Sequence, residues 1–361
     1  MRRKAPPRET ATLHGGDGGA LHGDPHDFFS PLCSSRASGD GGALHGDPHD
    51  PRGLRYHAFS DYLRRRYGRR IQKIPLDAGF GCPHRAGPDH RGEGGCSYCR
   101  NDAFSPASGT VPPLLGEQLA AGIRQGRKRA RAGGFFAYFQ AYTNTFAPPE
   151  TLRQRYDTIR SFPEIVGLAV GTRPDCLEEE GLDLLESFCR DYEVWVEIGL
   201  QSANDATLER IRRGHTVEDF LDAVERAARR GLNICAHVIL GLPGEGHAEM
   251  MASARLLAGL PIQGVKVHHC HVIRETPLAE EWRRGSYRPL AYEEYLSCVC
   301  DFLERIPWPV TIQRLVGDAP EGLLLAPRWG RDKAAILRDI QGELARRESR
   351  QGGKCGGSFP A

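Results

Sequence analysis

The chain has 361 residues, of which 40% are apolar and 26% charged, with a formal net charge of +2. That length suits one large α/β domain or two ordinary ones, and the near-neutral balance excludes a polycation that holds nucleic acid by bulk charge. No run of about 18 apolar residues occurs, which excludes a helical membrane span, and 11 cysteines cannot all pair as disulfides. The N-terminus carries charge but no apolar h-region, so the expectation is a cytoplasmic protein whose cysteines serve metal or catalysis.

The chain opens on a duplication. "GDGGALHGDPHD" stands at Gly16–Asp27 and again at Gly39–Asp50. Segments so rich in Gly, Asp, His and Pro cannot bury a core, so residues 1–53 read as a disordered tail. From Leu54 the composition becomes globular. Strand patterns at Lys73–Phe80, Phe135–Gln140, Ile165–Val170, Val194–Leu200, Leu232–Leu240 and Gly264–Val272 alternate with helix patterns. The helices read as Leu114–Arg131, Pro149–Ser161, Glu178–Asp191, Asp205–Arg213, Val217–Arg230 and Glu245–Leu257. Apolar strands that are each followed by a helix imply parallel pairing with helical crossovers. Six such units predict an α/β fold, either a partial (β/α)6 TIM-like barrel or an open doubly wound sheet, over residues 54–275. Function is then expected at the C-terminal strand ends. A helix at Tyr292–Arg305, a strand at Val310–Leu315 and a helix at Lys333–Ala345 read as α/β additions over 276–345, with 346–361 a flexible tail.

Cys82, Cys96 and Cys99 follow the first strand with the spacing C-x13-C-x2-C. Gly94 and Gly95 let the backbone wrap closely there. Three chemistries remain open on spacing alone. A zinc ion would take its fourth ligand from His84 or His90. An iron–sulfur cluster held by three cysteines would keep one iron for a small molecule. The third reading is buried thiols with no metal.

The stretch "GRRIQKIPLDAGFGCPHRAGPDHRGEGGCSYCRNDAF" resembles the opening of the radical S-adenosylmethionine (SAM) enzymes of the YhcC type. This iron–sulfur oxidoreductase family is related to the elongator catalytic subunit, and the resemblance runs on through Arg328. It implies a radical SAM partial barrel in which Cys82, Cys96 and Cys99 bind a 4Fe–4S cluster and SAM chelates the fourth iron. Reductive cleavage of SAM would give a 5′-deoxyadenosyl radical that abstracts hydrogen from substrate. The long first gap departs from the commonest superfamily spacing but agrees with the YhcC type.

The resemblance also suggests cofactor contacts at the strand ends. Tyr98 would pack near the cluster or the adenine. Thr143 and Asn144 stand where the superfamily has a Gly-Gly-Glu-like turn, although the acidic residue is absent here. Asp175 is a candidate for the ribose, or the N-cap of the next helix. Gln201 would face SAM or substrate, Arg213 the SAM carboxylate, and His237 the ribose. Glu197, in an otherwise apolar strand, requires a partner or a cavity. Lys266, His268, His269 and His271 alternate, so that His269 and His271 share a face, as a wall against substrate or a second metal site.

Two basic runs, "RRRYGRR" (Arg64–Arg70) and "RQGRKRAR" (Arg124–Arg131), read as solvated helix faces or contacts to an RNA backbone. The resemblance favours RNA. It implies modification of a tRNA wobble-uridine side chain, with a reductant such as flavodoxin or ferredoxin as partner. The alternatives are a zinc-stabilised RNA-binding protein without catalysis, or a radical enzyme acting on a small metabolite or a peptide.

Overall fold

A computed structural model describes residues 53–87, 93–101, 114–319 and 322–355. The duplicated segment and His90 lie outside the described residues. The described residues begin with helix α1 (Phe59–Tyr67) and strand β1 (Ile71–Leu76), followed by α2 (Leu115–Ala130), β2 (Gly134–Phe139), α3 (Pro149–Asp157) and β3 (Ile165–Thr172). It continues through α4 (Glu179–Phe188), β4 (Glu193–Gln201), α5 (Asp205–Arg210), α6 (Val217–Arg229), β5 (Asn233–Leu240), α7 (His247–Ala258) and β6 (Gly264–His269). The last elements are β7 (Val272–Ile273), α8 (Pro277–Arg283), α9 (Tyr292–Leu303), β8 (Thr311–Arg314), β9 (Leu324–Ala326) and α10 (Lys333–Arg346).

Seven strands form one parallel sheet in the order β1-β2-β3-β4-β5-β6-β8, while β7 and β9 pair antiparallel. The strand near Val310, expected as an addition, therefore extends the main sheet beyond β6. The sheet is curled. Seven flat strands would hold β1 and β8 about 29 Å apart, at ~4.8 Å per step. Instead Lys73 of β1 reaches Gln313 of β8 at 2.6 Å and Glu197 of β4 at 2.6 Å. No lysine spans a flat sheet, so the concave face is the inside of a half-barrel.

Side-chain alternation assigns the two faces. On the convex side Ile74, Leu76, Phe135, Phe139, Val196 and Ile234 pack under the helices in the main core. Each covering helix supplies an apolar stripe; α6 does so with Phe220, Ala223, Val224 and Ala227, and begins with a Thr216/Asp219 capping box. On the concave side Phe136, Tyr138, Trp195 and Cys235 meet Phe59 and Leu63 of α1. The basic character of "FSDYLRRRY" hides this helix in the sequence, yet Phe59 lies edge-on to Trp195 at 5.0 Å and closes the N-terminal end of the barrel. Glu193 anchors the plug: it accepts from Tyr62 (2.9 Å), Tyr67 (2.7 Å) and Trp195 (2.7 Å), and pairs with Arg66 at 2.5 Å.

The C-terminal end is tied back to the beginning. Gln351 is buried; its side chain donates to Val310 O at 2.7 Å and accepts from His57 N at 2.8 Å, and its backbone N–H donates to Arg55 O at 2.8 Å. Residues 346–355, expected to belong to a flexible tail, are held by these and neighbouring backbone bonds. Among the described residues no helix is long and apolar enough to cross a membrane.

Candidate active site

The C-terminal strand ends open onto a cavity of about 650 Å3. Cys82, Cys96, Tyr98 and Cys99 line one side, Thr143, Gln201, Arg213 and His237 others, and Lys73, Glu197 and Lys266 the deep end.

The cysteine loop follows β1 directly. Gly94 and Gly95 have φ of +96° and +87°, a conformation that strains any other residue. A Cβ on Gly94 would meet His84 O at 2.8 Å, so this backbone crossing needs glycine on both counts. Arg85 fastens the loop by donating to Cys99 O at 2.9 Å. Burial, then the neighbouring Cys96, pushes the Cys99 thiol up to about 11, so without a cation Cys99 stays a thiol rather than a thiolate. Cys82 is also within electrostatic reach of Cys99. Among the described residues the only three-ligand group within single-ion distance is a histidine trio, and the three cysteines do not form one. Thiols gathered in one loop but spread more widely than one zinc ion allows fit a polynuclear cluster. A fourth thiol, Cys176, is buried near Cys82. Its position in the loop after β3 gave no sequence signal.

Arg213 sits beside this loop and is fully committed. It donates through Nε to His215 Nε2 at 2.9 Å, through Nη1 to Cys96 Sγ at 3.7 Å, and through Nη2 to Gly199 O at 3.2 Å. Burial opposes its charge, but Tyr98 and Cys96 outweigh that and raise its pKa further. His215 accepts from Arg213, so its proton is on Nδ1 and goes to Thr216 O at 3.0 Å. Any side chain on Gly199 would collide with Gln201 at 2.4 Å and Arg213 at 2.6 Å, so that residue is small by necessity.

Asn144 does not line the cavity. It is buried, its Nδ2 donates to Gly171 O at 2.9 Å, and its carbonyl accepts from Tyr156 at 2.5 Å, so it ties the loop after β2 to β3. Thr143, its neighbour, does face the cavity. Asp175 is neither an N-cap nor part of the lining of this cavity. It grips Arg173 at 2.9 and 3.0 Å, and the N-cap of α4 is Glu178. His84 also stands outside the cavity lining, 3.5 Å from Arg173 and packed on Gly214.

Deep in the barrel, Glu197 has the partners its burial demands. Lys73 and Lys266 both donate to it, and His237 Nε2 lies 3.1 Å from Oε2. Burial alone would raise its pKa, but Lys266 and Lys73 hold it well below the carboxylate range. Burial lowers the Lys266 pKa, and Lys266 also donates to Tyr138 at 2.9 Å. Lys73, Tyr138, Gln313 and Arg314 escaped the sequence reading, because only the curl brings these strands together.

Lys266 and His268 face inward, as strand alternation requires. His269 turns outward against Trp329, at 4.3 Å between rings. His271 does not share that face, because β6 ends at His269 and the chain turns His271 back into the cavity. The three imidazoles place ligand atoms within 4.8 Å of one another. His268 Nδ1 is spent on His269 O, and the Nε2 atoms of His269 and His271 lie 2.7 Å apart, a distance that requires one shared proton. The Nδ1 atoms of His269 and His271 are buried without hydrogen-bond partners, and of the three rings those of His268 and His271 line the cavity.

Burial, then Arg213, lowers His215 to about 4, and burial lowers His271 to about 4. Both have depressed folded-state values against about 6.5 when unfolded. Their contribution is present above pH 6.5 and is lost as pH falls towards 4, since unfolding then takes up protons. The expected cost at pH 5 is about 2 kcal/mol for each. Urea midpoints at pH 7.5 and pH 5 measure it, and equal midpoints would contradict these environments.

Comparison with known proteins agrees with this site. Residues 80–257 match the family model for the Radical SAM superfamily, and residues 262–346 match that for the Radical_SAM C-terminal domain. The chain is similar to Protein YhcC of Escherichia coli K12, at 39% identity over 75% of this chain and 86% of that protein. It is also similar to a tRNA uridine(34) acetyltransferase of Methanocaldococcus jannaschii, at 32% identity over 44% of this chain and 30% of that protein. In fold it is similar to the archaeal Elp3 of Methanocaldococcus infernus, with a TM-score of 0.57 and 21% identity over 65% of this chain and 59% of that one. With three thiols at the mouth of a parallel half-barrel and family matches across most of its length, the chain belongs to the radical SAM superfamily, among its YhcC-type iron–sulfur enzymes.

Proposed function

We propose that this enzyme modifies the side chain of a tRNA wobble uridine by hydrogen abstraction. Cys82, Cys96 and Cys99 would hold the 4Fe–4S cluster of the family, and SAM would lie across the strand ends beside Tyr98, Thr143, Gln201, Arg213 and His237. Together these cofactors supply a reductively generated 5′-deoxyadenosyl radical. The chain's own residues do the rest. Arg213 stabilises negative charge at Cys96 and fixes the wall that Gln201 completes. Glu197 with Lys73 and Lys266 offers polar groups at the deep end while α1 closes the barrel against solvent.

The observation that carries the reading is the shared cavity, in which the cysteine loop opens onto this polar deep end with about 650 Å3 between. That space suits a flipped-out base beside a cofactor. The tRNA part is supported by the similarity to a tRNA uridine(34) acetyltransferase over 164 residues. Liquid chromatography of tRNA nucleosides from a deletion strain and its parent tests it. The expected result is loss of one wobble-uridine derivative and accumulation of its precursor, restored by the wild-type gene and not by a Cys99→Ala copy. Identical nucleoside profiles would refute the tRNA reading.

A further inference from the structure

The two basic runs are 60 residues apart in sequence, and the fold brings them together at the end of the barrel opposite the cavity mouth. Arg69 and Arg70 immediately precede β1, and Arg131 immediately follows α2 just before β2. Gly133 N donates to Arg70 O at 2.9 Å, and a Cβ on Gly133 would lie 2.9 Å from Arg69 Cδ. Arg65 projects from α1, the helix that plugs this same end.

Arg65, Arg69, Arg70, Lys128, Arg129 and Arg131 are all exposed. None of them holds an ion pair among the described residues. The two acids that these segments do meet are already used: Glu164 pairs with Arg127 at 3.0 Å, and Glu193 is buried under Arg66 and two tyrosines. Some surface arginines elsewhere are paired. Arg226 and Arg230 pair with Glu179, and Arg346 and Arg347 with Glu343. In a chain whose net charge is only +2, six exposed cations without ion pairs therefore stand together at one end of the barrel.

Resting on the tRNA reading, we propose that this end of the barrel is a second RNA contact, which holds the phosphate backbone of a stem whose loop presents its base to the mouth. Five of the six cations are arginines, whose planar forks match phosphate oxygens. β1 separates the patch from the cysteine loop by six residues, about 20 Å of strand. A flipped base and its own phosphates stay at the mouth, so the patch meets backbone further along a helical stem. The same separation argues against docking of a reductant, which must bring its redox centre close to the thiols at the other end.

The test uses the reconstituted enzyme and a variant with Arg69, Arg70, Arg129 and Arg131 all changed to Gln. Two RNA probes are titrated by fluorescence anisotropy at several salt concentrations, a synthetic anticodon-type stem–loop and its loop alone. The variant should bind the stem–loop at least about tenfold more weakly, with a log–log salt slope smaller by about 3, since each lost phosphate contact removes about 0.7–0.9. Binding of the loop alone should stay within about twofold. Unchanged thermal melting and unchanged substrate-free release of 5′-deoxyadenosine certify the fold. Equal stem–loop affinity and slope in the two proteins would overturn the proposal. So would an equal loss on both probes, or a loss confined to reduction by an acidic flavodoxin-type protein. A patch effect with unaltered wobble nucleosides in the deletion strain would remove the tRNA reading and leave the patch. Altered nucleosides with no patch effect would do the reverse.

Discussion

Replacing Cys99 with alanine is expected to abolish the iron–sulfur chromophore and SAM cleavage together while the protein stays folded. Cys99 is only partly buried and forms part of no apolar core, so truncating it leaves little cavity. Its chemical loss is large. A neutral thiol with a pKa near 11 becomes a ligand only because a metal draws off its proton. Two remaining cysteines cannot retain a cluster against exchange with solvent thiols. Changes to groups that only orient ligands cost about 10- to 100-fold, and loss of a ligand should exceed that. Anaerobic reconstitution followed by absorbance and 5′-deoxyadenosine assays measures both effects. Retention of colour and cleavage would reject the assignment and direct attention to Cys176, the other buried thiol near Cys82.

The second large effect belongs to Glu197. Its carboxylate is wholly buried and is the shared counter-ion of Lys73 and Lys266. Glu197→Ala leaves Lys73 and Lys266 inside the barrel without their shared counter-ion, and removing one partner of a buried pair costs about 3–5 kcal/mol. Glu197→Gln keeps the shape and loses the charge, so it should lie between wild type and alanine. Chemical denaturation at pH 7.5 orders the three proteins. A loss within about 0.5 kcal/mol for alanine, the range of an ordinary surface substitution, would show that the two lysines are not charged together. Activity should fall in both variants even where the protein is folded, because Lys73 and Lys266 would no longer be held in the cavity.

Much of the fold could be read from periodicity. Five expected strands match observed ones to within two residues at either end, because buried parallel strands are continuous apolar runs bounded by glycine and helix caps. β1 starts and stops earlier than expected, since the alternation after Leu76 belongs to the cysteine loop. Helix α1 was hidden because its apolar face is just Phe59 and Leu63 among three arginines. The seventh strand was visible, but its partner was not, since four residues carry no pairing information. In the site, residues set by motif and local turn geometry were legible: Cys82, Cys96, Cys99, Gly94 and Gly95. Residues that meet only through the curl, such as Lys73 with Gln313, were not. Asn144 shows the opposite failure, since its polarity suggests a ligand contact while its amide is used to join a loop to β3.

The clasp made by Gln351 has a consequence for how the molecule is built. Arg55 and His57, which lead into the plugging helix, are grasped by a residue that follows His57 by 294 positions in the chain. During synthesis every strand of the sheet is complete before that residue leaves the ribosome. Until then the lower opening is held shut by the apolar side of one short helix and by Glu193. Removing Gln351 and the residues after it would therefore be felt first at residues 55–58, as increased protease access to the segment before Phe59.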